Sequence, residues 1–204
     1  MNAIAVILAA GEGQRMGLPK AMLDDEGKSF LDVLASTFGK GGCSVLAVIG
    51  HAADEVRDQH PRVHLVENAG WREGQFSSAK AGLKAALDEG AEAVLVHPVD
   101  MPAVRSSTVK ALLSRLATAQ AVVPEFEGAP GHPLVLSRAA AEKVLAHTDA
   151  QTLEAALQGI EVTRVPMRDP GVVVNVNTPD VYERLFGAPP RRAPPPRRNV
   201  ARSA

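Results

Sequence analysis

Apolar residues fall along this chain in short continuous runs separated by longer amphipathic stretches, the pattern of strands buried on both faces by helices. The runs Ile4 to Leu8, Ser44 to Ile49, Val63 to Val66, Ala93 to His97, Ala121 to Pro124 and Glu161 to Val165 are rich in valine, isoleucine, leucine and alanine. Between them, the spacing predicts helices over about 30–38, 52–59, 77–88, 107–118, 139–146 and 152–157, and a last one beginning after Thr178. Ser29 stands where a helix N-cap is needed; Thr178 does so before Pro179, a residue suited to a first helical turn. Repeated strand–helix–strand units make a parallel sheet with right-handed crossovers the default. The expectation is therefore one α/β domain over residues 1–186, Rossmann-like, with three α/β/α layers and a mostly parallel sheet.

The first strand runs into the stretch with the most specific chemistry, Leu8-Ala9-Ala10-Gly11-Glu12-Gly13-Gln14-Arg15-Met16-Gly17-Leu18-Pro19-Lys20. Glycines let the backbone approach a ligand closely and point N–H groups at an anion. Arg15 and Lys20 add two long cations able to reach the same phosphates. A P-loop would need Gly-Lys followed by serine or threonine, but here the lysine follows Pro19 and precedes Ala21. A dinucleotide fingerprint would need one residue fewer between Gly13 and Gly17, and the next strand ends at Gly50-His51 without a ribose-binding acid. A plain turn would not require the arginine, proline and lysine at these offsets.

Composition narrows the setting. With 46% hydrophobic but only 3% aromatic residues, the core is built from small aliphatic side chains. The 22 basic and 23 acidic residues nearly cancel, yet five of the arginines lie in 187–204, a stretch with no acid, so the body is acidic and the end of the chain basic. That proline- and arginine-rich stretch lacks the apolar residues of a core, and is expected to be a disordered, solvated tail; without interleaved aromatics it is not a nucleic-acid binder. A single cysteine, Cys43, permits no intrachain disulfide, and no apolar run is long enough for a membrane span, so the expected compartment is the cytoplasm.

Further candidates lie beyond the later strands. Asp100, after Pro98-Val99, is placed at the same sheet edge as the glycine loop, where ligands of open parallel sheets bind. A carboxylate beside a triphosphate calls for a bridging cation such as Mg²⁺, although a turn aspartate before Met-Pro is the plainer reading. Ser77 and Ser78 open a helix, either as ligand contacts or, for Ser77, as an ordinary N-cap. Trp71 is a packing residue or a stacking platform. His132, in the rigid string Gly131-His132-Pro133, is either a ligand contact or a strut.

Taken together, L-A-A-G-x-G-x-R-M-G-x-P-K resembles the opening signature of the nucleotidyltransferases that activate sugars and cofactors. Trp71, Gly74, Ser78, Gly82 and Leu83, and then Gly131-His132-Pro133 with Ser137, resemble the molybdenum cofactor cytidylyltransferase and molybdopterin-guanine dinucleotide synthase branch. The closing string Asn175-Val176-Asn177-Thr178-Pro179-Asp180 departs from that family's D-x-D-T-P-x-D form in having asparagine at both acidic positions. The resemblance implies transfer of a nucleotide, CMP from CTP above all, onto a phosphorylated acceptor such as molybdopterin, with Mg²⁺ and release of pyrophosphate. It implies nucleotide binding by Leu8, Ala9, Ala10, Gly11, Glu12, Gly13, Arg15, Lys20, Ser77, Ser78 and Asp100, and catalysis by Arg15, Lys20 and Asp100. Metal binding falls to Asp100 and Asn177, and acceptor binding to Gly131, His132 and Pro133. Ala10, where guanylyl-type relatives carry glycine, favours a pyrimidine. A sugar 1-phosphate acceptor, a GTP-using guanylyltransferase, and a nucleotide-binding chaperone that hands cofactor to a molybdoenzyme are the alternatives.

Overall fold

The computed structural model describes residues 1–195. The strands are β1 (Ala3–Leu8), β2 (Asp24–Asp25), β3 (Lys28–Ser29), β4 (Ser44–Ile49), β5 (His64–Glu67), β6 (Ala93–Pro98), β7 (Ala121–Phe126), β8 (Ala129–Pro130), β9 (Leu134–Ser137) and β10 (Val162–Pro166). The helices are α1 (Phe30–Lys40), α2 (Ala53–Gln59), α3 (Gln75–Asp88), α4 (Ser106–Leu116), α5 (Arg138–Ala146), α6 (Leu153–Ala156) and α7 (Pro179–Phe186). Eight strands form the central sheet, in the order β10-β7-β9-β6-β1-β4-β5, with β8 attached to β7. All neighbours in the half β6-β1-β4-β5 are parallel, whereas β9 runs antiparallel to both β6 and β7. The expected mostly parallel α/β domain is what forms.

Alternation along β1 shows how the layers are made. Ala3, Ala5 and Ile7 face one helical layer, packing with Phe30, Leu34 and Phe38 of α1 and Leu112 of α4. Ile4, Val6 and Leu8 face the other, with Phe76 and Leu83 of α3 and Val144 of α5. Successive side chains of a strand point to opposite faces, so a wholly apolar strand must be covered twice. Ser29 caps α1 as the sequence suggests, its Oγ accepting the Asp32 N–H at 3.0 Å. Thr178 caps α7 by accepting the Val181 N–H at 3.4 Å.

Gly82 fixes how closely α3 lies on the sheet. A Cβ at this position would stand 2.2 Å from Val6 Cγ1 and 2.9 Å from Val48 Cγ2. Gly82→Val is therefore expected to destabilise the fold by about 3 kcal/mol, the upper end for an overpacked core, read as a lower urea midpoint. An unchanged midpoint would mean that α3 can lift off β1 and β4 at no cost.

The end of the folded chain lies further on than residue 186. After α7 the chain turns back, and Arg191 to Ala193 pair with the segment that follows Lys20. The Asp24 N–H donates to the Arg191 carbonyl at 2.9 Å and the Ala193 N–H to the Met22 carbonyl at 2.8 Å. The Arg191 guanidinium binds the Asp24 carboxylate at 2.7 Å, Arg192 pairs with Glu55 at 2.5 Å, and Ala193 is buried. The disordered tail expected from residue 187 thus gives way, as far as Ala193, to a clamp: arginine finds buried acid on the body, and backbone pairing replaces the missing apolar side chains. The rest of the expected tail, 196–204, lies outside the described residues.

Candidate active site

A cavity of about 720 Å³ opens at the carboxyl ends of β1 and β6, and Leu8 to Arg15 line one side of it. The loop is held from below: the Ala9 N–H donates to the Val48 carbonyl at 2.8 Å, and the Ala10 carbonyl accepts the His51 N–H at 3.0 Å. The N–H groups of Gly11, Glu12 and Gly13 find no acceptor among the described residues. Gly13 has φ of 64°, and a Cβ there would lie 2.4 Å from the Leu18 carbonyl oxygen, so only glycine closes this turn. Gly11 has neither a left-handed φ nor any atom within 4 Å of a Cβ position. Its smallness answers to no neighbour in the protein, which leaves it free for a ligand's close approach. Arg15 lines the cavity and makes no ion pair among the described residues.

Lys20 reaches the cavity floor from a 3-10 turn, Lys20–Met22. Its Nζ donates to Asp100 Oδ2 at 2.6 Å and also to the Asn177 side-chain carbonyl. These three residues come from segments 80 and 157 positions apart, and the backbone joins two of them: the Val176 N–H donates to the Asp100 carbonyl at 2.8 Å. The other carboxylate oxygen, Asp100 Oδ1, is buried without a partner. A free buried carboxylate oxygen beside an amide carbonyl is a hard oxygen donor set of the kind that holds Mg²⁺, with substrate phosphates and water completing the shell.

The two serines part company. Helix α3 begins at Gln75 with Gly74 at its N-cap, two residues before the expected start. Ser77 consequently lies inside the first turn. It donates to the Gly70 and Gly74 carbonyls and accepts the Asn68 amide at 2.8 Å, so it braces the loop, while Ser78 lines the cavity. Trp71 does both jobs open to it: its side chain packs over Gly50, where a Cβ would lie 2.6 Å from Trp71 Cβ, and the ring forms cavity wall beneath the Arg72 guanidinium at 4.4 Å.

Gly131, His132 and Pro133 lie on the other side of Asp100. The His132 N–H donates to the Val172 carbonyl at 2.8 Å, and a Cβ on Gly131 would meet that same carbonyl oxygen at 2.2 Å, so the loop fits tightly on the turn that leads to Asn177. Burial lowers the His132 pKa, against the opposing pull of the Asp100 carboxylate and the Val96 carbonyl. Its ring stands edge-on to His97, centroids 6.2 Å apart.

Sequence reasoning passed over His97. It is wholly buried against Phe38, with Nε2 on the Met101 carbonyl at 2.9 Å and Nδ1 unpartnered. The histidine at the end of an otherwise apolar strand was the only available signal. Desolvation is the main force that pushes its pKa down to about 3, the Met101 carbonyl opposing and His132 adding. The folded protein holds it neutral while the unfolded chain protonates near 6.5. Its contribution to stability is thus complete above pH 6.5 and is lost as pH falls towards 3, at up to about 1.4 kcal/mol per pH unit. His97→Gln, which keeps a donor for the Met101 carbonyl, is expected to flatten the acid limb of a stability–pH curve. Parallel curves for the two proteins would exclude His97 as the titrating group.

Comparison with known proteins fits this geometry. The MobA-like NTP transferase domain matches residues 5–167. The molybdenum cofactor cytidylyltransferase of Escherichia coli (strain K12) is 26% identical over 186 residues, 89% of this chain and 95% of that protein. The nicotine blue oxidoreductase of Paenarthrobacter nicotinovorans is 38% identical over 112 residues, 53% of this chain and 54% of that one. Among solved structures, Rv0371c from Mycobacterium tuberculosis H37Rv, determined as a complex with manganese, superposes with a TM-score of 0.72 at 21% identity, covering 92% of this chain and all of that one.

Proposed function

The chain belongs to the MobA-like NTP transferase family, and we propose that it transfers CMP from CTP to a phosphorylated acceptor, molybdopterin above all, releasing pyrophosphate. The observation that carries this reading is the floor of the glycine-loop cavity, where Lys20, Asp100 and Asn177 converge beneath unpaired backbone N–H groups. Anion-binding N–H groups and cations on one side, with oxygen donors on the other, match a nucleoside triphosphate with its Mg²⁺.

In the proposed reaction an oxygen of the acceptor phosphate attacks the α-phosphorus in line and the bond to the bridging oxygen of pyrophosphate breaks. The nucleophile is already ionised at neutral pH, so no general base is required. The protein's task is positioning and charge stabilisation. Leu8 to Gly13 seat the nucleotide, with the loop N–H groups and Arg15 on its phosphates. Lys20 stabilises charge as the α-phosphoryl group is transferred. Asp100 and Asn177 would hold Mg²⁺, which supplies neutralisation of the phosphate oxygens. Asparagine at 177 lowers the negative charge of that donor set by one relative to the family's usual aspartate, and Gly131, His132 and Pro133 border the acceptor. The methyl of Ala10 narrows the loop on the base side, which favours CTP over GTP.

Pyrophosphate release, measured with each of CTP, GTP, UTP and ATP plus Mg²⁺, with and without molybdopterin, tests the whole reading. Release with CTP only when molybdopterin is present is expected. Because one relative bears the name of an oxidoreductase, a direct assay of the leaving group is needed. CTP that binds in calorimetry but releases nothing with any acceptor would leave a nucleotide-binding chaperone, and no binding at all would end the nucleotidyl-transfer reading.

A further inference from the structure

A second cavity, of about 440 Å³, continues from the first on the far side of Leu8, Gln75 and Pro98, residues that line both. Its walls are apolar: Phe76 and Ala79 of α3 face Leu153 and Leu157 at α6, and Val123 and Leu134 of the sheet close the base. Polar groups stand only at its edges. Gln75, Gln151 and Glu154 make no side-chain hydrogen bond or ion pair among the described residues, and His132 Nδ1 is buried without a partner. No lysine or arginine lines it.

Such a lining discriminates by chemistry. A phosphate or other polyanion would lie against Glu154 with no cation to hold it. A polyhydroxylated sugar would press its hydroxyls on leucine and phenylalanine, where each would lack a partner. A flat uncharged ring fits: its faces lie on Phe76 and Leu157, while ring nitrogens and amino groups meet the amides, the carboxylate and the imidazole at the edges. Resting on the nucleotidyl-transfer reading, we infer that this second cavity is the seat of the acceptor's body, and that it selects a neutral planar heterocycle with N–H donors at its edge. Phe76, Leu153, Leu157 and Glu154 are its specificity residues. The acceptor's phosphate then lies at the shared border of Leu8 and Pro98, towards Lys20.

Leu153 and Leu157 are half-buried at the surface, so a carboxylate can be placed there without opening the core. Pterin, a fluorescent neutral bicycle that carries no phosphate, is the direct probe. Saturable pterin binding to the wild-type protein is expected, weakened about tenfold or more in both Leu153→Glu and Leu157→Glu, because the new charge must be desolvated. CTP affinity in calorimetry should be the same for all three proteins. Absence of saturable pterin binding, or equal binding by the variants, would overturn the inference. So would pyrophosphate release from CTP and glucose 1-phosphate that Leu153→Glu leaves unchanged, even though the transfer reading itself would then stand. Conversely, pterin binding that the variants weaken, in a protein that releases no pyrophosphate with any nucleotide, would uphold the heterocycle pocket while the transfer reading failed.

Discussion

Replacing Lys20 with alanine is expected to lower the rate of pyrophosphate release about 100-fold or more, the effect of removing one preorganised charge contact worth about 2.7–4 kcal/mol in the transition state. Lys20 is placed for that role by more than its own turn. Its Nζ is held between Asp100 and Asn177, two oxygens it shares with no other cation among the described residues. An ammonium already fixed at the cavity floor loses little freedom when charge develops beside it. The KM for CTP should rise far less than kcat falls, since the loop N–H groups and Arg15 remain. Lys20→Arg tests the geometry: it keeps the charge but replaces a compact point cation with a broad fork. Turnover of Lys20→Ala at the wild-type rate would remove Lys20 from the mechanism.

Asp100→Ala is expected to cost about 10³-fold or more in rate and to leave no response to Mg²⁺, since a metal at a transferring phosphoryl group supplies several kcal/mol of charge stabilisation. The milder Asp100→Asn keeps an oxygen for Lys20 while removing the charge, so it should shift the Mg²⁺ titration to higher concentration before it lowers the plateau. Metal titrations of Asp100→Asn that coincide with those of the wild type would show that the metal lies elsewhere. Activity is only one readout here. Mn²⁺ binding to the CTP-loaded proteins, followed by electron paramagnetic resonance, should weaken in the same order.

Much of this site could be anticipated from short-range patterns, and what could not has a physical reason in each case. The apolar run of β1, the N-caps at Ser29 and Thr178, and the glycine loop are local signals, written within a few residues of where they act. Strand β9 is different: four buried residues, Leu134–Ser137, alternate identically in either direction, so its antiparallel course between β6 and β7 is invisible until the neighbours are known. Ser77 looks like a cap because it precedes a helical period, yet Gly74, with φ of 105°, turns the chain two residues sooner than any serine cap would. The encounter of Lys20 with Asn177 depends on a backbone bond from Val176 to Asp100, a tertiary event with no sequence period. The clamp of Arg191 on Asp24 spans 167 residues, and composition argued against it because prolines and arginines cannot build a core; they need only reach one that already exists.

The clamp also sets an order of events during synthesis. Met22, Leu23 and Asp24, the residues just after Lys20, pair along their edge with Arg191 to Ala193. On the ribosome the first partner of that pairing emerges early and the second nearly last. A nascent chain, or one cut short by a premature stop, can lay down the sheet and both helical layers and still lack the strap that steadies its lysine. Whatever order Lys20 gains from that strap belongs only to the finished polypeptide.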